Sequence, residues 1–327
     1  MEIRILRSGE REHVLDLLDC WELPDGWRGR DFFRRYMEQD PSYHDENFWV
    51  AEDGGRFVCC VQIFPRALRV GSGVAPLGGI GSVFTHPDAR SSGTASAVLR
   101  RAEEAMRERG MCVGMLFTGR TGFYERLGWL AWPLANALYI KQSDPPPPDS
   151  HLELEAFDPV ADLQGVKALH ARYSTGRAGT LARDDAGWEG SLRLAGNPDE
   201  DFRVVRRDGV VVGYARFISL EKHPILAEFG RSADDADALA SLLATVFAEL
   251  GGAYGPALAD PELEQALAAR GVEVRSMGDP NAMLRCLDAK ALCTASGVAP
   301  ISGESDRDLL QRLLPAERTL FWPSDRF

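Results

Sequence analysis

Val83-Phe84-Thr85-His86-Pro87-Asp88-Ala89-Arg90-Ser91-Ser92-Gly93-Thr94-Ala95 carries the reading of the whole chain. The apolar and β-branched residues up to Thr85 predict a strand, His86-Pro87-Asp88 breaks it, and a helix is expected from about 93 to 109. A strand that runs through small residues into a helix presents several backbone N–H groups to one point, and the helix end adds partial positive charge. Gly93 and Ala95 lack bulk, so a diphosphate can approach the main chain, and Arg90 can add a charge-assisted contact. Taken alone, the segment is equally an ordinary helix start capped by Ser91 or Ser92.

The flanking residues predict a mixed sheet. Upstream, a strand over 3–6 and helices over 10–20 and 30–38 precede two strands, 48–52 and 57–64, around the hairpin signal Asp53-Gly54. Residues 79–85 form the strand that enters the helix start. Downstream come a strand over 112–118, a short helix over 122–126 and a last strand over 134–141. The order β-α-α-β-β-β-α-β-α-β belongs to the α/β class, an α+β mixed sheet. Glu103, Glu104 and Arg107 fit a solvated face of the helix, and His86 before Pro87 is expected to shape the turn.

A similar order recurs beyond Ser143-Asp144-Pro145-Pro146-Pro147-Pro148-Asp149, where the prolines cannot donate backbone hydrogen bonds and favour an extended spacer. The expected division is a first domain over 1–143, a linker over 144–149, a second domain over 150–290 and a tail over 291–327. FWVAEDGGRFVCCVQIF (48–64) and FRVVRRDGVVVGYARFI (202–218) match in pattern, with their Asp-Gly turns offset by one residue. With helices over 160–173 and 233–250 and a strand over 225–229, this predicts duplication of a unit of roughly 140 residues, too long for a solenoid. Two unrelated hairpins with a common turn would leave the same mark. The tail reads as loop from 291 until a helix over 306–314. It ends Phe321-Trp322-Pro323-Ser324-Asp325-Arg326-Phe327, and three large aromatics so close together are expected to dock on the protein.

The bulk properties exclude several classes. A net charge of −12 argues against non-specific binding to nucleic acid or an anionic membrane. It suits a cationic amine, and serves solubility equally well. Hydrophobic content of 45% allows a sizeable core, yet no apolar run approaches the roughly 18 residues of a membrane helix. Met1 to Val14 mixes charged and apolar residues, unlike a signal peptide. The six cysteines show no CxxC spacing and the six histidines no HExxH, so no metal site is expected. Cys59 and Cys60 must point to opposite faces of a strand, and the cysteines read as buried free thiols of a cytoplasmic protein.

Arg90-Ser91-Ser92-Gly93-Thr94-Ala95 matches the R-x-x-G-x-G/A motif of the GNAT superfamily of N-acetyltransferases. After the strand Val113-Gly114-Met115-Leu116-Phe117-Thr118, the string Phe123-Tyr124-Glu125-Arg126-Leu127-Gly128-Trp129 resembles that superfamily's F-Y-x-x-x-G-F/W segment. The resemblance covers most of residues 1–141 in element order. It implies acetyl-CoA bound in a wedge between two splayed strands, by Val83, Phe84, Thr85, Arg90, Ser91, Ser92, Gly93, Thr94, Ala95 and Thr118. The oxyanion would take a backbone N–H of the Val83 strand, and Tyr124 would protonate the departing thiolate; its structural alternative is a core tyrosine. In this superfamily the segment between the first helices borders the substrate. Asp45, Glu46, Trp21, Trp27, Phe32 and Phe33 therefore read either as an amine pocket or as a core stripe.

The duplicated layout, Tyr124 and the aromatic tail are together similar to the enhanced-intracellular-survival (Eis-like) acetyltransferases. Those have two tandem GNAT folds followed by a sterol-carrier-like domain. Only their first fold binds acetyl-CoA, and the chain's terminal carboxylate is the general base. The resemblance implies that role for the α-carboxylate of Phe327, with Phe321 and Trp322 packing the tail into the cleft. Ala171-Arg172-Tyr173, the stretch from Arg183 to Trp188 and Met283-Leu284-Arg285-Cys286-Leu287-Asp288 resemble segments of the second fold and its exit. Two departures stand out. Residues 291–327 are too few for a sterol-carrier-like domain, which needs roughly a hundred residues. Where the second fold would hold a phosphate, Glu228-Phe229-Gly230-Arg231-Ser232-Ala233-Asp234-Asp235 offers two aspartates, so that fold is expected to be a pocket wall. The expected activity is acetyl transfer from acetyl-CoA to a primary amine, a small cation or lysine. A non-catalytic acyl-CoA-binding protein and a transferase of longer acyl chains are the alternatives, since N-myristoyltransferases also pair two GNAT folds with a terminal carboxylate. The oligomeric state is left open, a homo-oligomer included.

Overall fold

The computed structural model describes residues 1–23, 26–141, 149–195 and 200–327, so the prolines expected as a linker lie outside the described residues. Strand β1 (Glu2–Ile5) is followed by helices α1 (Arg11–Leu18) and α2 (Gly29–Gln39) and by the antiparallel run β2 (Phe48–Asp53), β3 (Arg56–Val70) and β4 (Gly73–Thr85). Helix α3 (Thr94–Glu108), strand β5 (Val113–Phe117), helix α4 (Thr121–Glu125) and strands β6 (Leu130–Ala131) and β7 (Leu134–Lys141) complete the first half. The second half opens with β8 (Leu152–Ala156), α5 (Leu163–Ser174), α6 (Asp185–Ala195), β9 (Asp201–Arg207), β10 (Val210–Leu220) and β11 (His223–Arg231). It continues through α7 (Ala236–Leu250), β12 (Ala253–Pro256), α8 (Pro261–Ala269), β13 (Val272–Asp279), β14 (Ala282–Cys286), α9 (Ala289–Ser296) and α10 (Asp306–Leu313). Helix α9 replaces part of the loop expected after residue 291, where Asp288 accepts the Ala291 amide as its cap.

The two hairpins share one turn chemistry. Gly54 and Gly55 have φ of 57° and 79°, and Asp208 and Gly209 have 52° and 76°. Two successive positive φ angles give the two-residue turn whose twist matches that of the flanking strands. The first turn lies one residue later than Asp53-Gly54, because Asp53 still pairs with Arg56. That shift brings the two hairpin strings into register without an offset.

Each seven-stranded sheet borrows a strand from the other half. The first runs β1-β2-β3-β4-β5-β14-β6 and the second β13-β7-β12-β11-β10-β9-β8. Strand β7, expected as the last strand of the first unit, therefore pairs with β12 and β13. Its Tyr139 stacks on Phe247 of α7 at 5.2 Å and donates to the Pro256 carbonyl at 2.5 Å. In return β14 enters the first sheet, with Ala282, Met283 and Leu284 wholly buried. The exchange also overturns the solvated reading of Glu103. That residue is 3% exposed, accepts from Trp129 Nε1 at 2.7 Å and meets Arg285 of β14 at 3.2 Å. Burial raises its carboxyl pKa, and Arg285 opposes the rise.

Helix α3 covers the first sheet with Val98, Leu99, Ala102 and Met106. Helix α7 covers the second with Leu239, Leu242, Leu243, Val246 and Phe247. Cys59 and Cys60 do face opposite cores. Five of the six free thiols are buried, whereas Cys20, expected among them, is exposed.

Candidate active site

Strands β4 and β5 run parallel and paired only from Leu77 to Ile80, opposite Val113 to Leu116. Beyond that point β4 continues to Thr85 against β3 alone, so its outer edge opens a cleft toward β5. The opening coincides with a bulge. The β3–β4 register slips between Cys60 and Gln62, and Ser82 takes φ of 50°. A non-glycine residue in that region is strained and persists only where its surroundings hold it. Here Ser82 donates its hydroxyl to the buried Gln62 Oε1 at 2.9 Å, and its carbonyl accepts from the Cys60 thiol at 3.2 Å.

The cleft leads to the start of α3. Neither Ser91 nor Ser92 is the cap of that helix: Gly93 is the N-cap, at φ of 81°, and makes no side-chain cap bond. Ser92 gives its hydroxyl to the Ala89 carbonyl at 2.7 Å and shares it with Thr94. The first-turn amides of a helix have no partner within it, and Gly93 leaves the approach to them open, with nothing within 4 Å of where a Cβ would stand. Arg90 donates to the Thr85 carbonyl at 3.2 Å and lies over the Phe84 ring. His86 shapes the turn, its Nδ1 accepting the Asp88 amide at 3.3 Å. Thr118, next after β5, donates its amide to the Asn281 carbonyl, and its hydroxyl accepts the Arg120 amide.

After β5, α4 carries Tyr124, which is 7% exposed and packs in the core under α3 against Phe123 and Trp129. Burial pushes its phenol pKa up to about 12, with Cys59 adding to the rise and Arg120 opposing it. The tail arrives from the other side. Phe327 stacks on Phe64 of β3 at 5.5 Å and meets Phe117 and Phe321 at 6.0 Å each. It sits where β4 carries glycines. A Cβ on Gly79 would lie 2.5 Å from the Phe327 ring, and one on Gly81 would lie 3.2 Å from the Phe327 carbonyl carbon. The last residue of the sequence is thus seated on β4 at the mouth of the split.

Residues 2–131 match the family of acetyltransferase (GNAT) domains. The first half is a GNAT acetyltransferase domain. The chain is an acyltransferase whose two halves repeat the GNAT fold. No curated protein matches it in sequence. A GCN5-related N-acetyltransferase from Kribbella flavida superposes with TM-score 0.70 at 17% identity, over 90% of this chain and 73% of that one. Eis1 from Mycobacterium abscessus does so with TM-score 0.64 at 19% identity, over 90% and 76%. A tandem GNAT protein from the clavulanic acid biosynthesis pathway gives TM-score 0.56 at 14% identity, over 88% of this chain and 98% of that one.

The second GNAT-like unit also splits its sheet, since β11 and β12 share the single paired position Ile225–Tyr254. Its helix start is self-sufficient, however. Asp235 caps α7 by accepting the Ala238 amide, and Arg207 holds that carboxylate at 2.7 Å. The tail lies against β11: Trp322 meets Phe229 at 4.9 Å, and Ser324 donates to Glu228 at 2.5 Å. Arg183 joins Glu228 at 2.5 Å to Asp325 at 2.7 Å, inside the protein, with its guanidinium over the Trp188 ring. Burial alone would raise the Glu228 pKa, but Arg183 and Arg216 overcome it and hold that carboxyl well below the usual range. Burial raises the Asp325 carboxyl instead, against Arg183.

Between the halves, beside this tail, lies a cavity of about 680 Å³. Sequence reasoning left Asp45, Glu46, Trp21, Trp27, Phe32 and Phe33 as either an amine pocket or a core stripe, and none of the six lines this cavity. Asp45 is held by Arg11 and Tyr43, and Trp21 and Phe33 pack into a core with Phe84. Trp27, Phe32 and Tyr36 form an aromatic series that reaches Phe64 beneath Phe327. The charged wall of the cavity comes from Asp40, Arg66, Arg183 and the tail, which no local signal connects. Among the described residues, no three of His, Cys, Asp and Glu converge as metal ligands.

Proposed function

We propose that the protein transfers an acetyl group from acetyl-CoA to a primary amine, with Tyr124 as general acid and the carboxylate of Phe327 as general base. The observation that carries the reading is the uncapped start of α3 beside the β4–β5 split, with Phe327 seated on the same strand. The amides from Gly93 to Ala95 take the diphosphate, aided by Arg90, because helix-start N–H groups and their partial charge favour anions. The pantetheine arm pairs with the free edge of β4 near Val83 and Thr85, as a peptide adds to a sheet.

An alkylammonium with a pKa of about 10.4 must first lose a proton, and the Phe327 carboxylate accepts it. The amine nitrogen then forms its bond to the thioester carbon, a β4 amide at the bulge donates to the oxyanion, and the carbon–sulfur bond breaks. Tyr124 gives its proton to the thiolate, and the second proton still on the nitrogen leaves through water as the amide forms and restores the phenol, so that one proton is released overall. A phenol whose pKa stands near 12 is fully protonated at neutral pH and so always ready to donate. The buried free thiols fit the reducing cytoplasm.

The test is thiol release from acetyl-, propionyl- and longer acyl-CoA with a panel of amines. Turnover with acetyl-CoA supports the reading. Tight CoA binding without turnover on any amine leaves a binding protein, and a preference for long chains moves the activity to another acyl group.

A further inference from the structure

On the acyl-transfer reading proposed above, on which this inference rests, the thioester stands at the β4 bulge, around Ser82 with its φ of 50°. The pantetheine arm reaches that point along β4 from Thr85, so the acyl carbons beyond the thioester continue toward Gly81 and Gly79. Straight ahead, β4 and β5 close, with Ile80 paired to Leu116. On the α3 side, Ile80, Leu116 and Tyr124 are buried in one core with Val98 and Met106. The remaining side is the one on which β4 carries glycine. Residues two apart on a strand share a face, and Gly79 and Gly81 share this one.

That side is filled by the tail. A carbon at the Cβ position of Gly79 would lie 2.5 Å from the Phe327 ring. At Gly81 it would lie 2.9 Å from the Phe64 ring and 3.2 Å from the Phe327 terminal carbon. Carbon atoms prefer about 3.5–4.0 Å, so no methylene lies on either glycine while the ring is seated. The ring has little room to move aside. Phe64 stacks on it at 5.5 Å, and Phe117 and Phe321 flank it at 6.0 Å each. Just before it, Arg326 is paired with Asp279, and Asp325 with Arg183. The two glycines that would give a long chain its channel seat an aromatic ring instead.

We propose that the Phe327 ring is the stop that sets acyl length. Acetyl ends short of it, whereas a chain as long as hexanoyl reaches it and must lift it. Such a chain overpacks the site and loses affinity, where in an open apolar channel every further methylene would gain it. Phe117 acts through the ring, by holding it in place.

The experiment is calorimetric titration of the full chain with CoA and with acetyl-, butyryl- and hexanoyl-CoA, no acceptor being present. The expected result is a Kd for hexanoyl-CoA at least tenfold weaker than for acetyl-CoA, with butyryl-CoA between them. Phe327→Ala keeps a terminal carboxylate and removes only the ring. In that variant hexanoyl-CoA should bind at least as tightly as acetyl-CoA, since each buried methylene then gains. Phe117→Ala lets the ring swing aside and narrows the difference, whereas Leu116→Ala, on the α3 side, keeps it. Equal or tighter binding of hexanoyl-CoA by the wild type, discrimination unchanged in Phe327→Ala, or relief by Leu116→Ala instead overturns the proposal. A protein that binds CoA but behaves in any of these ways keeps the acyl-transfer reading and loses this one. A protein that binds none of the four loses both.

Discussion

Alanine at Gly79 tests whether the seated tail takes part in the reaction. The new Cβ would stand 2.5 Å from two ring carbons of Phe327 and 2.7 Å from a third, where carbon atoms prefer about 3.5–4.0 Å. The strand cannot retreat, since Gly79 is paired with Phe64 on one side and Met115 on the other. The ring must lift by about 1 Å, the difference between the clash and an ordinary contact. Overpacking of this kind costs about 1–3 kcal/mol, and loss of the Phe64 stack adds about 0.5–1.5 kcal/mol. A total near 3 kcal/mol lowers the seated fraction by about 100-fold, at tenfold per 1.4 kcal/mol. The assay is the initial rate with acetyl-CoA and a saturating amine, alongside the CoA Kd. We expect kcat to fall by one to two orders of magnitude while CoA affinity stays within about threefold, because the α3 start is untouched. Phe327→Ala added to Gly79→Ala should cost little more, as two lesions of one contact do not add. Wild-type kcat in Gly79→Ala, or a loss of CoA affinity as large as the loss of rate, refutes the reasoning.

Four further outcomes are expected. Tyr124→Phe lowers kcat by about 100-fold or more with CoA affinity retained, and, with the phenol near pH 12, no basic limb below about pH 10 in the wild-type profile belongs to this residue. Gly93→Val raises the acetyl-CoA KM by about tenfold through strain at positive φ. That strain acts although nothing lies within 4 Å of the new Cβ, so the midpoint of thermal unfolding should also fall, by a few degrees for about 1–2 kcal/mol. Buried His170 has its pKa lowered from 6.5 to about 3 by burial, with Arg183 adding to it. The unfolded chain therefore takes up that proton first, and stability present above pH 6.5 is lost as pH falls. Urea titrations should show a decline of about 2–3 kcal/mol between pH 6.5 and 4.5, absent in His170→Gln. Finally, a fragment ending at residue 143 lacks β14 and the partners of β7, so near-ultraviolet circular dichroism should show no fixed tertiary packing; a well-packed fragment contradicts the exchange.

What the sequence disclosed was local. The start of α3 was legible because glycine and small residues after Pro87 leave a contiguous trace of a backbone that must stay open, and Tyr124 because its string is contiguous too. The tail announced itself through three aromatics that water would not keep. The strand exchange left no trace, since Leu134–Lys141 and Ala282–Cys286 are apolar strands that fit either sheet equally well. Glu103 misled for a related reason: helical spacing put it beside Arg107 on a polar face, and only β14, arriving from far along the chain, buries it against Arg285 and Trp129. The cavity was invisible because Asp40, Arg66, Arg183 and Asp325 are each ordinary charges until the fold brings them together.

The two halves differ less in architecture than in how one set of orphan amides is satisfied. Both split a pair of parallel strands, and both follow the split hairpin strand with a long helix. At the start of α3 stands Gly93, which has no side chain to offer, so the cap leaves the first-turn amides unanswered, and on the proposed function the diphosphate takes them. At the start of α7 stands Asp235, whose carboxylate accepts from Ala238 and is held by Arg207, so an incoming diphosphate would meet a carboxylate already seated on the helix start. The second split is put to another use: β11 offers Glu228 and Phe229 as the seat for Ser324 and Trp322, and Arg183 ties Glu228 to Asp325. That anchor lies two residues from Phe327, whose ring rests on β4 of the other half. On the proposed mechanism the repeat without a cofactor is therefore the part that aims the base, and the strand exchange becomes a requirement. A base held by one half can serve a cleft in the other only if the halves cannot drift apart, and β7 and β14, each paired within the opposite sheet, prevent it.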